Sequence, residues 1–152
     1  MISKLIRTLR HALKPETTLS TLDSSALNAA IATLLIEAAR VDNNTTEADI
    51  AEAKKSLKLL ANIDSEQADE LLRTVSLSKN RPTSYLPLTR TINQNLDYDQ
   101  KCVLIGAMWA IAHSDSHIDP HEDHIIRKIS DLIYVSHRDF INQKIKSQTQ
   151  PR

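Results

Sequence analysis

Apolar residues recur along this chain at intervals of three and four, the period of an amphipathic helix, and polar clusters break the rhythm into segments. The first stripe is Ile2, Leu5, Ile6, Leu9, Ala12 and Leu13, with basic residues on the other face and Pro15 after its end. Residues 15–24 are rich in Thr and Ser and read as a linker. Ser24 or Ser25 then caps a helix bearing Leu27, Ile31, Leu34, Leu35, Ala38 and Val41. Thr46 with Asp49, Asp64 with Gln67 and Asp97 with Gln100 each have the spacing of a capping box. They open helices carrying Ile50, Leu57 and Leu60, then Ala68, Leu71, Leu72 and Val75, then the apolar stretch from Cys102 to Ala112. Between the last two, Thr83 or Ser84 opens a helix with Tyr85, Leu88, Ile92 and Leu96, and Pro87 falls in its first turn, where proline is tolerated. Asp119, Pro120 and Glu122 start a helix with Ile125, Ile126, Ile129, Leu132 and Ile133. Ser136 caps a short last one with Phe140, Ile141 and Ile145.

The pattern predicts an all-α, single-domain bundle of seven to eight helices. Composition agrees: one Gly and five Pro in 152 residues leave little material for the tight turns of a sheet protein. The expected layout is a basic amphipathic helix over 1–14, a linker over 15–24, the helical domain over 25–146 and a disordered tail over 147–152. Because Cys102–Ala112 is apolar all round, that helix is expected to be the most buried element, with Cys102 an inert buried thiol and Trp109 in the core. Gly106 inside it costs about 1 kcal/mol relative to Ala, which close helix packing would offset.

Nineteen basic and nineteen acidic side chains cancel, which argues against a nucleic-acid partner. One cysteine excludes an intrachain disulfide. The N-terminal residues do not read as a secretory signal, and no apolar run approaches the roughly 20 residues of a membrane span. A cytoplasmic protein is expected. The charge is unevenly distributed, however. Residues 1–14 carry Lys4, Arg7, Arg10 and Lys14 without an acid, which suits peripheral contact with an anionic membrane face, docking on the domain, or a homodimer.

Two segments read alike. Ala38-Ala39-Arg40-Val41-Asp42 precedes Thr46-Glu47-Ala48-Asp49, and Ile111-Ala112-His113-Ser114-Asp115 precedes Asp119-Pro120-His121-Glu122. The offset is 73 residues (115 − 42, and again 122 − 49), so the chain carries a pseudo-duplicated helix–loop–helix pair. With Ile92-Asn93, Leu96-Asp97 and Met108-Trp109 between them, these segments resemble the TerB-like family associated with bacterial tellurite resistance, over about Leu27 to Phe140. The resemblance implies an all-helical bundle and a stress-response module, metal-binding and without an established reaction. Where the family has Gly after each loop Asp, this chain has Asn43 and Ser116, and Thr46 replaces the acid that matches Asp119.

The loops set the candidate chemistry. Asp42, Asp49, Asp115, Asp119 and Glu122 are oxygen ligands suited to Ca²⁺ or Mg²⁺, and the same spacing serves helix capping with nothing further required. Neither loop is an EF-hand, since the twelfth positions are Ala53 and Ile126. His117 and His121, within the run His113, His117, His121 and His124, would suit Zn²⁺ or Ni²⁺, or form a solvated edge. Glu37 lies on or beside an apolar face and needs a partner, either Arg40 one turn on or a cation shared with the loops. No nucleophile motif or phosphate loop occurs, so an enzyme is not expected. Two functions remain: a cation-binding module, or an adaptor recruited to membrane or partner by residues 1–14 with purely structural acidic loops.

Overall fold

A computed structural model describes residues 15–40, 45–78, 81–113 and 120–149, and for 15–23, 120–122 and 149 the backbone alone. The helix expected over 2–13 lies outside these residues, as does Val41. Among the described residues there are seven helices: α1 (Pro15–Arg40), α2 (Glu47–Ala61), α3 (Ser65–Leu77), α4 (Leu86–Asn95), α5 (Tyr98–Ala112), α6 (Pro120–Leu132) and α7 (His137–Thr149). No strand occurs among the described residues.

Three helix starts are built as their sequences require. At α2, α3 and α5 the cap side chain (Thr46, Asp64, Asp97) accepts from the backbone N–H three residues on, and Asp49, Gln67 and Gln100 reach back to the cap's own N–H. At α4 the cap position is Tyr85, and Ser84 Oγ accepts from Leu86 N at 3.2 Å. Pro87 stands in the first turn, where its missing N–H is not needed.

Two expected boundaries move. Residues 15–24 are helical, not a linker: α1 starts at Pro15, a residue pre-set for a first helical turn, and the helix penalties of Ser and Thr amount to only tenths of a kcal/mol each. Residues 147–149 likewise continue α7. Ser147 Oγ is bonded there to Lys144 O at 2.7 Å and to His113 Nδ1 at 2.6 Å, which fixes the last turn against α5.

The core is built on two helices rather than one. On α1, Ala30 to Ala39 is buried except for Thr33; on α5, Leu104, Ile105, Ala107, Met108, Trp109, Ile111 and Ala112 are buried. They pack on each other, with α2 and α3 against α1, α7 and α6 against α5, α2 also crossing to α5, and α4 lying on α1. Cys102 is only half-buried, because α5 turns its first two turns toward solvent. Burial, and after it the Asp139 carboxylate, push its thiol pKa up.

The duplication is larger than the helix–loop–helix pair visible in the sequence. Helix α3 begins at Ser65 and α7 at His137, an offset of 72 (137 − 65), and they end at Leu77 and Thr149. Left-handed residues close α2 and α6 at equivalent positions, Asn62 (φ 53°) and Tyr134 (φ 63°). Around Tyr134, its own N–H bonds to Asp131 O and that of Val135 to Ser130 O, the pattern of a Schellman helix end. The chain is therefore two like triplets, α1-α2-α3 and α5-α6-α7, joined through α4.

Candidate functional site

The end of α1 carries the densest polar chemistry. Glu37 sits within the buried run of α1 and is itself 2% exposed. Its carboxylate takes a two-point contact from Arg81, with Nε to Oε1 at 3.2 Å and Nη2 to Oε2 at 2.7 Å. Tyr85 OH donates to Oε2 at 3.3 Å, and Arg40 Nη1 stands 3.6 Å from Oε1. Arg40 also turns Nη2 to Val75 O at 3.0 Å and Ser76 O at 2.6 Å, the last carbonyls of α3, where the helix dipole favours a cation. One buried carboxylate thus ties α1 to residues 81–85 at the start of α4 and, through Arg40, to the end of α3.

The electrostatics follow from this arrangement. Burial raises the Tyr85 phenol pKa above its ordinary value of 10.0, and the neighbouring Glu37 charge raises it further. The hydrogen bond to Glu37 raises Arg81 in the same direction. Lys128 Nζ stands 5.8 Å from the Tyr85 ring centroid, adding a third cation to the cluster.

Of the other candidate ligands, Asp49 is buried and closes the capping box of α2: Thr46 N donates to its Oδ2 at 2.9 Å, and its own N–H donates to Thr46 Oγ1 at 3.1 Å. Asp42, Asp115, His117 and Asp119 lie outside the described residues, as do the side chains of His121 and Glu122. Among the described residues, no group of three or more His, Cys, Asp or Glu side chains is gathered as a metal would require. Within the histidine run, His113 stacks on Trp109 at 5.8 Å and bonds Ser147, whereas His124 is exposed on α6.

The second triplet repeats the device at the end of α1 with different chemistry. His113 follows α5 as Arg40 ends α1 (113 − 40 = 73), and each reaches the last turn of the third helix of its own triplet. Ser147 sends its hydroxyl proton to Lys144 O, which leaves His113 Nδ1 as the donor to Ser147 Oγ. Beside it Trp109, fully buried, packs on Phe140 at 5.3 Å, and Lys144 Nζ lies 5.0 Å over its ring. Asp123 holds Lys144 at 3.2 Å and Arg127 at 3.6 Å.

At the other end of α5, Tyr98 OH, Ser136 and Asp139 form one cluster, in which Asp139 caps α7 together with Ser136. Its carboxyl pKa is lowered, first by the Tyr98 hydrogen bond and then by Ser136. Helices α5 and α7 therefore run side by side in the same direction, joined at both ends.

Glu37 and Arg40 are legible in the sequence, whereas Arg81, the residue that completes the pair, is not. A charge inside an apolar stripe was the available signal, and it announces the need for a partner without naming it.

A small all-helical domain made of two like triplets on a shared two-helix core defines the class. The chain belongs to the TerB family: the model for "Tellurite resistance protein TerB" matches residues 28–145. No curated protein and no solved structure gives a significant match.

Proposed function

We propose that this TerB-family chain is a non-catalytic adaptor, whose loop carboxylates serve its own architecture while its surface takes a partner. The observation that carries the reading is the state of Glu37, the acid inside the core nearest the first loop. It already faces two guanidiniums and a phenol O–H. A divalent cation brought to that carboxylate would meet Arg40 and Arg81 first, and like charges at such range repel strongly. Asp49 is similarly committed, to the start of α2.

A second reading is favoured by the duplication, which puts an acid-bearing stretch of sequence after each of two equivalent helices, α1 and α5. In it a cation is shared by Asp42, Asp115, Asp119 and Glu122, with His117 and His121 beside them.

Calorimetric titration of metal-free protein with Ca²⁺, Mg²⁺, Zn²⁺ and Ni²⁺ separates the two, run on the natural chain and on the double variant Asp42→Asn, Asp115→Asn. The adaptor reading expects no saturable heat that the double variant removes, and a loss of stability in that variant with or without metal. Saturable binding abolished by the double substitution would overturn it in favour of the cation reading. Recruitment is assigned to residues 1–14. Their removal is expected to leave a folded domain and to weaken salt-sensitive binding to anionic vesicles, each basic residue contributing about 1 kcal/mol. No described helix is long and apolar enough to cross a membrane.

A further inference from the structure

Along the seam between α4 and α6 the surface opens into a cleft of about 370 Å³, the size of a few side chains. Asn93 Nδ2 donates to Leu132 O at 3.0 Å and ties its two walls together. Leu86 and Tyr134 line it while remaining 56% and 76% exposed.

Among the described residues, the charged side chain that lines the cleft is basic. Arg90 is the charged residue of its lining, and it makes no ion pair among the described residues. Lys128, one turn before Leu132, stands against the Tyr85 ring next to Leu86. The Glu37 carboxylate beside that ring is enclosed and already paired with Arg81.

Tyr134 supplies an independent observation. Its backbone is left-handed, φ 63°, a conformation that is unfavourable for a bulky side chain and usually falls to Gly or Asn. The equivalent position of the first triplet carries Asn62 at φ 53°. The fold thus accepts a tolerant residue there once and a strained one once. A side chain three-quarters exposed returns little packing in exchange, and strain of this kind gathers where a surface is used. Tyrosine is also among the residues that dominate binding interfaces.

We infer that this cleft docks an acidic polypeptide segment of a partner protein. An apolar or aromatic side chain of the segment seats between Leu86 and Tyr134, and its carboxylates meet Arg90 and Lys128. This rests on the adaptor reading and names the surface and the chemistry of the partner.

The test is to pan a phage-displayed random peptide library against the full chain and to titrate the selected peptides by fluorescence anisotropy. The expected selection combines two or more Asp or Glu with Leu, Phe or Trp. Its Kd rises at least about tenfold in Tyr134→Asn and, separately, in Arg90→Glu. Tyr134→Asn is also expected to raise the melting temperature by roughly 2–4 °C as the backbone relaxes. A panning that yields no sequence, or one that yields basic or uncharged sequences, overturns the site. Peptides bound equally by both variants also overturn it, while leaving the adaptor function in place on another surface. A lowered melting temperature for Tyr134→Asn would make Tyr134 structural and overturn the argument. Vesicles of phosphatidylcholine and phosphatidylserine are run in parallel. Binding to them that both variants lose, with no peptide selected, would make the cleft a lipid contact instead. The adaptor reading itself stands or falls on the calorimetric titration.

Discussion

Glu37 is flanked in sequence by Leu34, Leu35, Ile36, Ala38 and Ala39, all buried, so the polar groups that reach it are what make a carboxyl group tolerable there. Replacing it with Ala leaves Arg40 and Arg81 facing an apolar wall. Glu37→Ala is expected to lower the unfolding free energy by about 2–3 kcal/mol, read by urea denaturation. Arg81→Ala should lower it by about 1 kcal/mol or less, because half of that side chain is in water and its interaction is screened. Tyr85 gives a pH signature. Its folded pKa lies above the unfolded value of 10.0, so its contribution is intact below pH 10 and is lost as pH climbs through the raised value. Stability measured from pH 8 to 11.5 should fall at the alkaline end, and Tyr85→Phe should remove this share of the fall. An unchanged alkaline slope in the variant would mean that the phenol is not the group responsible. Arg40 was legible in the sequence as the i+3 neighbour of Glu37. Arg81 was not, because nothing local in Arg81-Pro82-Thr83 says that this connection folds back over a helix end 44 positions earlier.

Helix starts were readable because a cap is decided within four residues. Thr46, Asp64 and Asp97 all take the role that their spacing to Asp49, Gln67 and Gln100 assigns. Asp64→Ala and Asp97→Ala should each cost about 1 kcal/mol in the same denaturation experiment. The boundary at Pro15 was not readable, since a Thr/Ser-rich stretch has no local feature that forbids helix. Gly106 sits where α5 packs closely on α7, with Gln143 Cβ 4.0 Å from where its own Cβ would be. A Cβ there would run into Oε1 of Gln143, the mobile end of a long side chain rather than a neighbouring backbone. Gly106→Ala is thus expected to leave stability unchanged or raise it by up to about 1 kcal/mol, as Gln143 swings aside and helix propensity improves. A clear loss would show that Gln143 has nowhere to go.

At the scale of the molecule, the loop spacing revealed a duplication, but not that it extends to α3 and α7. The caps that open those helices, Asp64 and Ser136, are chemically different, and so are the two left-handed residues Asn62 and Tyr134. Equivalence is held by backbone geometry and not by side-chain identity. The candidate loops show the opposite limit: their residue types are plain in the sequence, yet most of their side chains lie outside the described residues. Because α1 and α5 bury each other, neither triplet has a core of its own. Leu34→Ala, in that shared interior, should cost about 3–5 kcal/mol, with helical signal and Trp109 fluorescence lost in one coincident transition.

An α1–α5 interface between two covalently joined halves can be satisfied by halves from different molecules. If the segment around α4 opens outward, the first triplet of one chain can receive the second triplet of another, with every contact of the interface reproduced. Refolding at high protein concentration should therefore trap reciprocally exchanged dimers, which size-exclusion chromatography resolves and which return to monomer on dilution through the unfolded state. The joint around α4 then sets more than geometry: its stiffness governs whether a chain closes upon itself or upon a neighbour.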